Sequence, residues 1–133
     1  MEKYAKMSTT RKKGVTLQDL QKTEHLLDVI LDPCYQELFQ LVNAPEFGEW
    51  LFYPIKDRLN LRKTFDDVVR NSQIAHGEGL PKEYIVIAEN GTGNYLCMLS
   101  GQPQIYHKDH EQDLPRKIAP DLKTFIQQAE NFN

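Results

Sequence analysis

The densest set of reactive side chains in this 133-residue chain is His107-Lys108-Asp109-His110-Glu111. At the end of a strand, His107 and Asp109 share a face, and His110 can fold back toward them. Such a trio offers nitrogen and oxygen ligands to a metal ion, so a small metal-dependent hydrolase is one reading. A solvated turn leaving a sheet explains the same residues without a metal, and catalytic zinc needs three fixed ligands plus an open position. Gly91-Thr92-Gly93 has amides of the kind that cradle a phosphate. It leads into a strand, however, and lacks the lysine and helix N-terminus of a phosphate loop, so it reads as a hairpin turn. Ser72, Ser100 and the four His form no nucleophile motif such as GxSxG. Most carboxylates fall at turns and helix starts, where capping and solubility account for them. Cys34 and Cys97 lie far apart in apolar contexts and read as reduced, buried thiols. Nothing here demands an enzyme, and neither a cofactor nor a bound metal is the leading expectation.

The elements that must position these residues follow from periodicity. Thr16 with Asp19 three residues on forms a capping-box pattern, and Leu17, Leu20, Leu27 and Leu31 fall on one helical face. Pro33 can open a second helix carrying Tyr35, Leu38, Phe39 and Val42 at i, i+3, i+4 and i+7, ended by Asn43-Ala44-Pro45. Trp50-Leu51-Phe52-Tyr53 has strand character and is closed by Pro54. Alternation puts Trp50 and Phe52 on one face, leaving Tyr53 on the other. A third helix is expected from Thr64, with Asp67 in its first turn, burying Phe65, Val68 and Val69. Residues 84–88 and 95–99 read as strands apolar on both faces and joined by the 90–94 turn. A turn at 100–103 returns a third strand over 104–107. Pro120 then opens a closing helix with Leu122, Phe125, Ile126 and Ala129 on one face. This order predicts an α+β domain: a mostly antiparallel sheet with N-terminal helices, a middle helix and a C-terminal helix packed on it.

Charge narrows the partners. Residues 1–13 hold five basic groups and one acid, a balance of +4, which leaves −7 on the remainder of a chain whose net charge is −3. The basic stretch lacks base-stacking aromatic interleaving and reads as a flexible arm over residues 1–15, ahead of a single domain over 16–133. An acidic body repels phosphate backbones and attracts basic proteins, so direct nucleic-acid binding is disfavoured. No apolar run approaches the roughly 18 residues of a membrane span. The N-terminus lacks the apolar core of a secretory signal, so no membrane association is expected and the cytoplasm is the expected compartment.

The combined pattern resembles the SUKH superfamily, named partly after a fungal cell-wall synthesis regulator. The resemblance runs from about Thr16 to Phe132. It includes an opening helix with internal Glu24, then Asp32-Pro33-Cys34-Tyr35-Gln36-Glu37-Leu38-Phe39, and a short strand Leu51-Phe52-Tyr53-Pro54-Ile55. The paired strands around Asn90-Gly91-Thr92-Gly93-Asn94, the segment Ile105-Tyr106-His107-Lys108-Asp109-His110-Glu111 and the closing Ile118-Ala119-Pro120-Asp121-Leu122-Lys123-Thr124-Phe125-Ile126 complete it. The chain departs from the family where Asp32 replaces a common Leu, where Lys108 replaces an aromatic, and near Ser100, where an Asp is frequent. Most bacterial members look like immunity proteins of polymorphic or contact-dependent toxin systems. The resemblance therefore implies a non-enzymatic protein that occludes a cognate toxin domain, commonly a nuclease. A monomer or weak homodimer is the expected state. A regulatory scaffold, as in the fungal relatives, is the other role it suggests. Exposed acids and aromatics around the meander and its exit loop are the expected partner-binding residues: Glu49, Tyr53, Tyr106, Asp109, Glu111 and Asp113.

Overall fold

The computed structural model describes residues 1–130; the last residues of the expected domain, including Phe132, lie outside the described residues. Among the described residues, six strands form one sheet in chain order: β1 Glu46–Phe47, β2 Trp50–Phe52, β3 Tyr84–Glu89, β4 Tyr95–Leu99, β5 Ile105–Lys108 and β6 Arg116–Ala119. Every neighbouring pair is antiparallel, so short turns make every connection except the one between β2 and β3. Among the described residues five helices accompany it: α1 Glu2–Ala5, α2 Leu17–Leu27, α3 Pro33–Leu41, α4 Val68–Gly77 and α5 Leu122–Glu130. The architecture is the expected α+β one, with helices before, within and after the sheet.

Local chemistry starts most helices where the sequence suggests. Thr16 and Asp19 close a reciprocal capping box on α2: the Asp19 amide donates to Thr16 Oγ1 at 3.1 Å, and the Thr16 amide donates to the Asp19 carboxylate at 3.2 Å. Asp32 caps α3 through the Tyr35 amide, with Pro33 in the first turn. α5, expected to open at Pro120, starts at Leu122 with Asp121 accepting from the Thr124 amide, and α4 departs further. It starts at Val68 under an Asp67 cap, not at Thr64. Thr64 is instead spent on a local turn, where its hydroxyl accepts from the Asp57 amide and donates to the Asn60 carbonyl. Phe65 is consequently exposed, and only Val68 of the expected apolar set is fully buried. On α2, likewise, Leu20 is buried while Leu17 is exposed; Leu31 is buried from beyond the helix end.

The sheet curls around its inner face. Trp50 on β2 and His107 on β5, with β3 and β4 between them, meet edge to face at 5.7 Å. Phe47, Phe52, Phe39 of α3 and Phe125 of α5 fill the concavity, Phe52 meeting the other three at 5.7–6.4 Å. Such pairs add about 0.5–1.5 kcal/mol each beyond area burial. Ile85, Ile87, Leu96, Met98 and Ile105 complete this core. β1 and β6 were not expected as strands. Arg116-Lys117-Ile118-Ala119 has no clean alternation, and it is a strand because β5 offers it a partner.

Residues 1–15, read from the sequence as a flexible arm, follow a defined path. Thr9 N donates to Glu46 O, Asn43 N to Lys12 O and Val15 N to Phe39 O. The Arg11 guanidinium bonds the carbonyls of Lys6 and Ser8, holding the end of α1. Among the described residues, no helix is long and apolar enough to cross a membrane.

Candidate interaction surface

Antiparallel pairing aligns side chains in rows on the outer face of the sheet, because directly opposed residues point to the same side. One row crosses four strands as Leu51, Glu89, Tyr95 and Lys108. The next runs Val86, Cys97, Tyr106 and Lys117. α4 covers part of this face: Ala75 and Leu80 pack on Val86, and the Val86 amide donates to buried Ser72 Oγ at 2.9 Å. What remains is a tyrosine-lined surface. Tyr84 and Tyr106 meet edge to face at 5.7 Å, while Tyr53 and Tyr95 are half-buried beside α4 and Leu80.

Burial raises the phenols of Tyr53, Tyr84 and Tyr95. The Tyr53 hydroxyl is pushed up to about 12, first by burial and then by the charges of Glu89 and Asp66. Tyr95 also rises to about 12, mainly through burial. Both therefore offer a hydroxyl donor at any physiological pH. Burial also lifts the Cys97 thiol to about 12 against the pull of Lys108, so Cys97 is a packed thiol rather than a nucleophile. Beside Tyr53 and Leu51 the face falls into a groove of about 750 Å³, walled by Lys12, Lys13 and Lys63 as well as by Asp57, Asp66 and Glu89.

One end of the sheet forms an acidic rim. The β1–β2, β3–β4 and β5–β6 turns all lie there, since each odd strand ends where the next even one begins. Glu49 sits in the first turn and Asp109, Glu111 and Asp113 in the third, with Glu89 at the end of β3. His110 Nδ1 lies 3.4 Å from Asn94 Oδ1, joining the second turn to the third. The middle turn is the plain hairpin read from its glycines. Gly91 and Gly93 adopt φ of 83° and 92°, and Asn90 Oδ1 accepts from the Thr92 amide.

The sequence-derived candidates thus divide. Glu49, Asp109, Glu111 and Asp113 share the rim, Tyr106 lies on the outer face, and Tyr53 stands beyond Val86 at the edge of the groove. The metal-hydrolase trio does not assemble. His107 turns to the inner face against Trp50, while Asp109 is occupied by the Glu111 amide at 3.0 Å and by His110 at 3.3 Å. Among the described residues, no three His, Cys, Asp or Glu side chains are grouped to hold a metal ion. Tyr84 and Tyr95 were missed as surface residues because their strands read as apolar on both faces. Their signal was position: each is the first residue of its strand, a half-buried polar-tipped aromatic at the end of an apolar run.

A family model described as the SMI1 / KNR4 family (SUKH-1) matches residues 14–128. Among solved structures, the crystal structure of a protein from Pseudomonas syringae pv. tomato is similar with a TM-score of 0.67 at 14% identity, over 98% of this chain and 96% of that one. At that identity the likeness speaks for the fold alone. A search of curated proteins found no match.

Proposed function

The chain belongs to the SMI1/KNR4 family (SUKH-1), and from that premise we propose that it is a non-enzymatic immunity protein that binds a cognate toxin domain, a basic nuclease, and occludes its active site. One observation carries the choice of surface: Glu49, Asp109, Glu111 and Asp113, scattered over more than sixty positions of sequence, gather on one rim of the sheet. A rim of carboxylates steers a basic partner during encounter and competes with the phosphate backbone that a nuclease would otherwise grip. Tyr106 and Tyr53 on the adjoining face supply large amphipathic contacts of the kind that dominate binding energy. The partner-binding set is therefore Glu49, Tyr53, Tyr106, Asp109, Glu111 and Asp113.

The test is growth rescue by co-expression with the toxin domain encoded beside this gene, followed by isolation of a one-to-one complex. Replacing Glu49, Glu111 and Asp113 together by Lys is expected to slow association about tenfold or more and to weaken its dependence on salt. Rescue and binding by the wild type with unchanged rates in the triple variant would move the interface elsewhere on the molecule. A toxic neighbour that is neither bound nor neutralised by well-expressed protein would end the pairing itself.

A further inference from the structure

The 56–66 segment displays apolar side chains that the core does not use. Leu59 is 78% exposed, Leu61 57% and Phe65 59%. They are held outward, not left loose: the Asp57 carboxylate accepts from the Leu59 amide and from Asn60 Nδ2, and Thr64 N donates to Asn60 O. Lys56 Nζ and the Arg70 guanidinium lie over the Phe65 ring, at 5.8 and 5.1 Å from its centroid. Between Phe65, Arg70 and Ile74 the surface dips into a shallow hollow of about 420 Å³. Lys22, Lys56, Arg58, Arg62, Lys63 and Arg70 lie around these residues, against the carboxylates of Asp19, Asp57, Asp66 and Asp67, of which Asp66 is already paired with Arg70 at 3.4 Å. On an acidic molecule this is a locally basic, apolar patch.

The acidic rim has the complementary composition. Its β5–β6 turn exposes Glu111 and Asp113, and Leu114 beside them is 61% exposed. The two surfaces are separate. The 56–66 segment follows β2 and shares a groove with Glu46 and Glu89 on the β1 side of the sheet, whereas the β5–β6 turn joins the last two strands at the other edge.

We infer that copies of this chain associate head to tail, the acidic β5–β6 turn of one seating Leu114 among Leu61, Phe65 and the surrounding cations of the next. The occupant is a second copy because this turn matches the patch in both respects, carboxylates for its cations and an exposed apolar side chain for its hollow. Each copy uses two different surfaces, so the contact is heterologous and continues into a ring or short chain. Its ion pairs are solvent-exposed, so it is weak and sensitive to salt. The inference does not depend on the toxin reading, although self-association and toxin binding would compete for the rim.

The average mass of the full chain, measured by light scattering across a concentration series, tests it. At low salt the mass is expected to rise above the 15.5 kDa of one chain, and to return to it in about 0.5 M salt. Two surface variants sharpen the result: Asp113→Asn with Leu114→Ser on the turn, and Leu61→Ser with Arg62→Ser on the patch. Each is expected to stay monomeric and to keep the wild-type Tm. Mixed in equal amounts they retain one working interface and should stop at a dimer of one copy of each. A wild type that stays at 15.5 kDa at every salt concentration overturns the inference. So does association that survives in either variant, or a patch variant that loses only binding to anionic vesicles, which would make the patch a lipid-facing surface.

Discussion

Asp67 meets two opposed demands. Its Oδ1 accepts the Arg70 amide at 2.9 Å and so caps α4, which favours the carboxylate. Its Oδ2 is buried with no hydrogen-bond partner among the described residues, as is the hydroxyl of Tyr35, whose phenol is pushed far up by burial and by the Asp67 charge. Burial wins at Asp67, and its carboxyl is raised above the ordinary 3.8. A raised carboxyl binds its proton more tightly in the folded state than in the unfolded one. The stability it contributes is present below the ordinary value and is lost as pH rises through the folded one. Asp67→Asn keeps an acceptor for the cap and removes the titration. Urea denaturation at a series of pH values should therefore show the variant gaining on the wild type from acid to neutral pH. A difference between the two that stays constant with pH would contradict the raised carboxyl of Asp67.

At the scale of elements, the tightest constraint is where the N-terminal stretch crosses α3. A Cβ on Gly14 would lie 2.0 Å from the Gln40 carbonyl oxygen, a backbone atom that cannot swing away. Gly14→Ala must separate the two segments, straining the Val15-to-Phe39 hydrogen bond and the Lys13–Val42 bridge. The expected loss is about 1–3 kcal/mol, read as a lower denaturation midpoint with an unchanged slope. An alanine tolerated without cost would mean that this crossing is looser than the geometry requires. Asn43, at the end of α3, ties the same region to the chain after β2. Its side chain accepts from the Ala44 and Ile55 amides and donates to the Ile55 carbonyl, satisfying buried backbone that no strand pairs.

For the molecule as a whole, the N-terminal residues are part of the fold and not an appendage. Ser8 is buried, and its hydroxyl accepts from the Glu46 amide at 3.0 Å, while Thr10 donates to the Ala44 carbonyl. Deleting residues 1–12 removes these bonds and uncovers β1 and α3. At about 1 kcal/mol for each lost buried bond, the Tm should fall by about 10 °C. An unchanged Tm would restore the picture of a free arm. The same packing redistributes charge. Basic residues of 1–13 and of the 56–70 stretch meet at the groove beside Tyr53, where Lys12, Lys13 and Lys63 face Asp57, Asp66 and Glu89, while the β5–β6 turn carries Asp109, Glu111 and Asp113 at the other edge of the sheet. The acidic turn is what the toxin-binding proposal and the head-to-tail inference each use.

The sequence alone determined whatever depends on a few neighbouring residues. Thr16 with Asp19, Pro33 after Asp32 and the glycines of the 90–94 turn act through bonds and dihedral preferences closed within four or five positions, and each appears as read. The inner strands were legible for the same reason, since an apolar run of β-branched and aromatic residues needs no partner to be recognised. Tertiary structure decided the rest. β6 exists because β5 offers its edge. Thr64 lost the cap of α4 because a turn from Asp57 claimed its hydroxyl, and Phe65 was exposed with it. β5 ends at Lys108, so alternation no longer fixes Asp109 on the face of His107, and His107 is held by Trp50, a contact that only the curl of the sheet permits. The rim itself is a product of topology: an all-antiparallel meander collects alternate turns at one end, and no local signal in Glu49 or Asp113 records that they will share an end of the sheet.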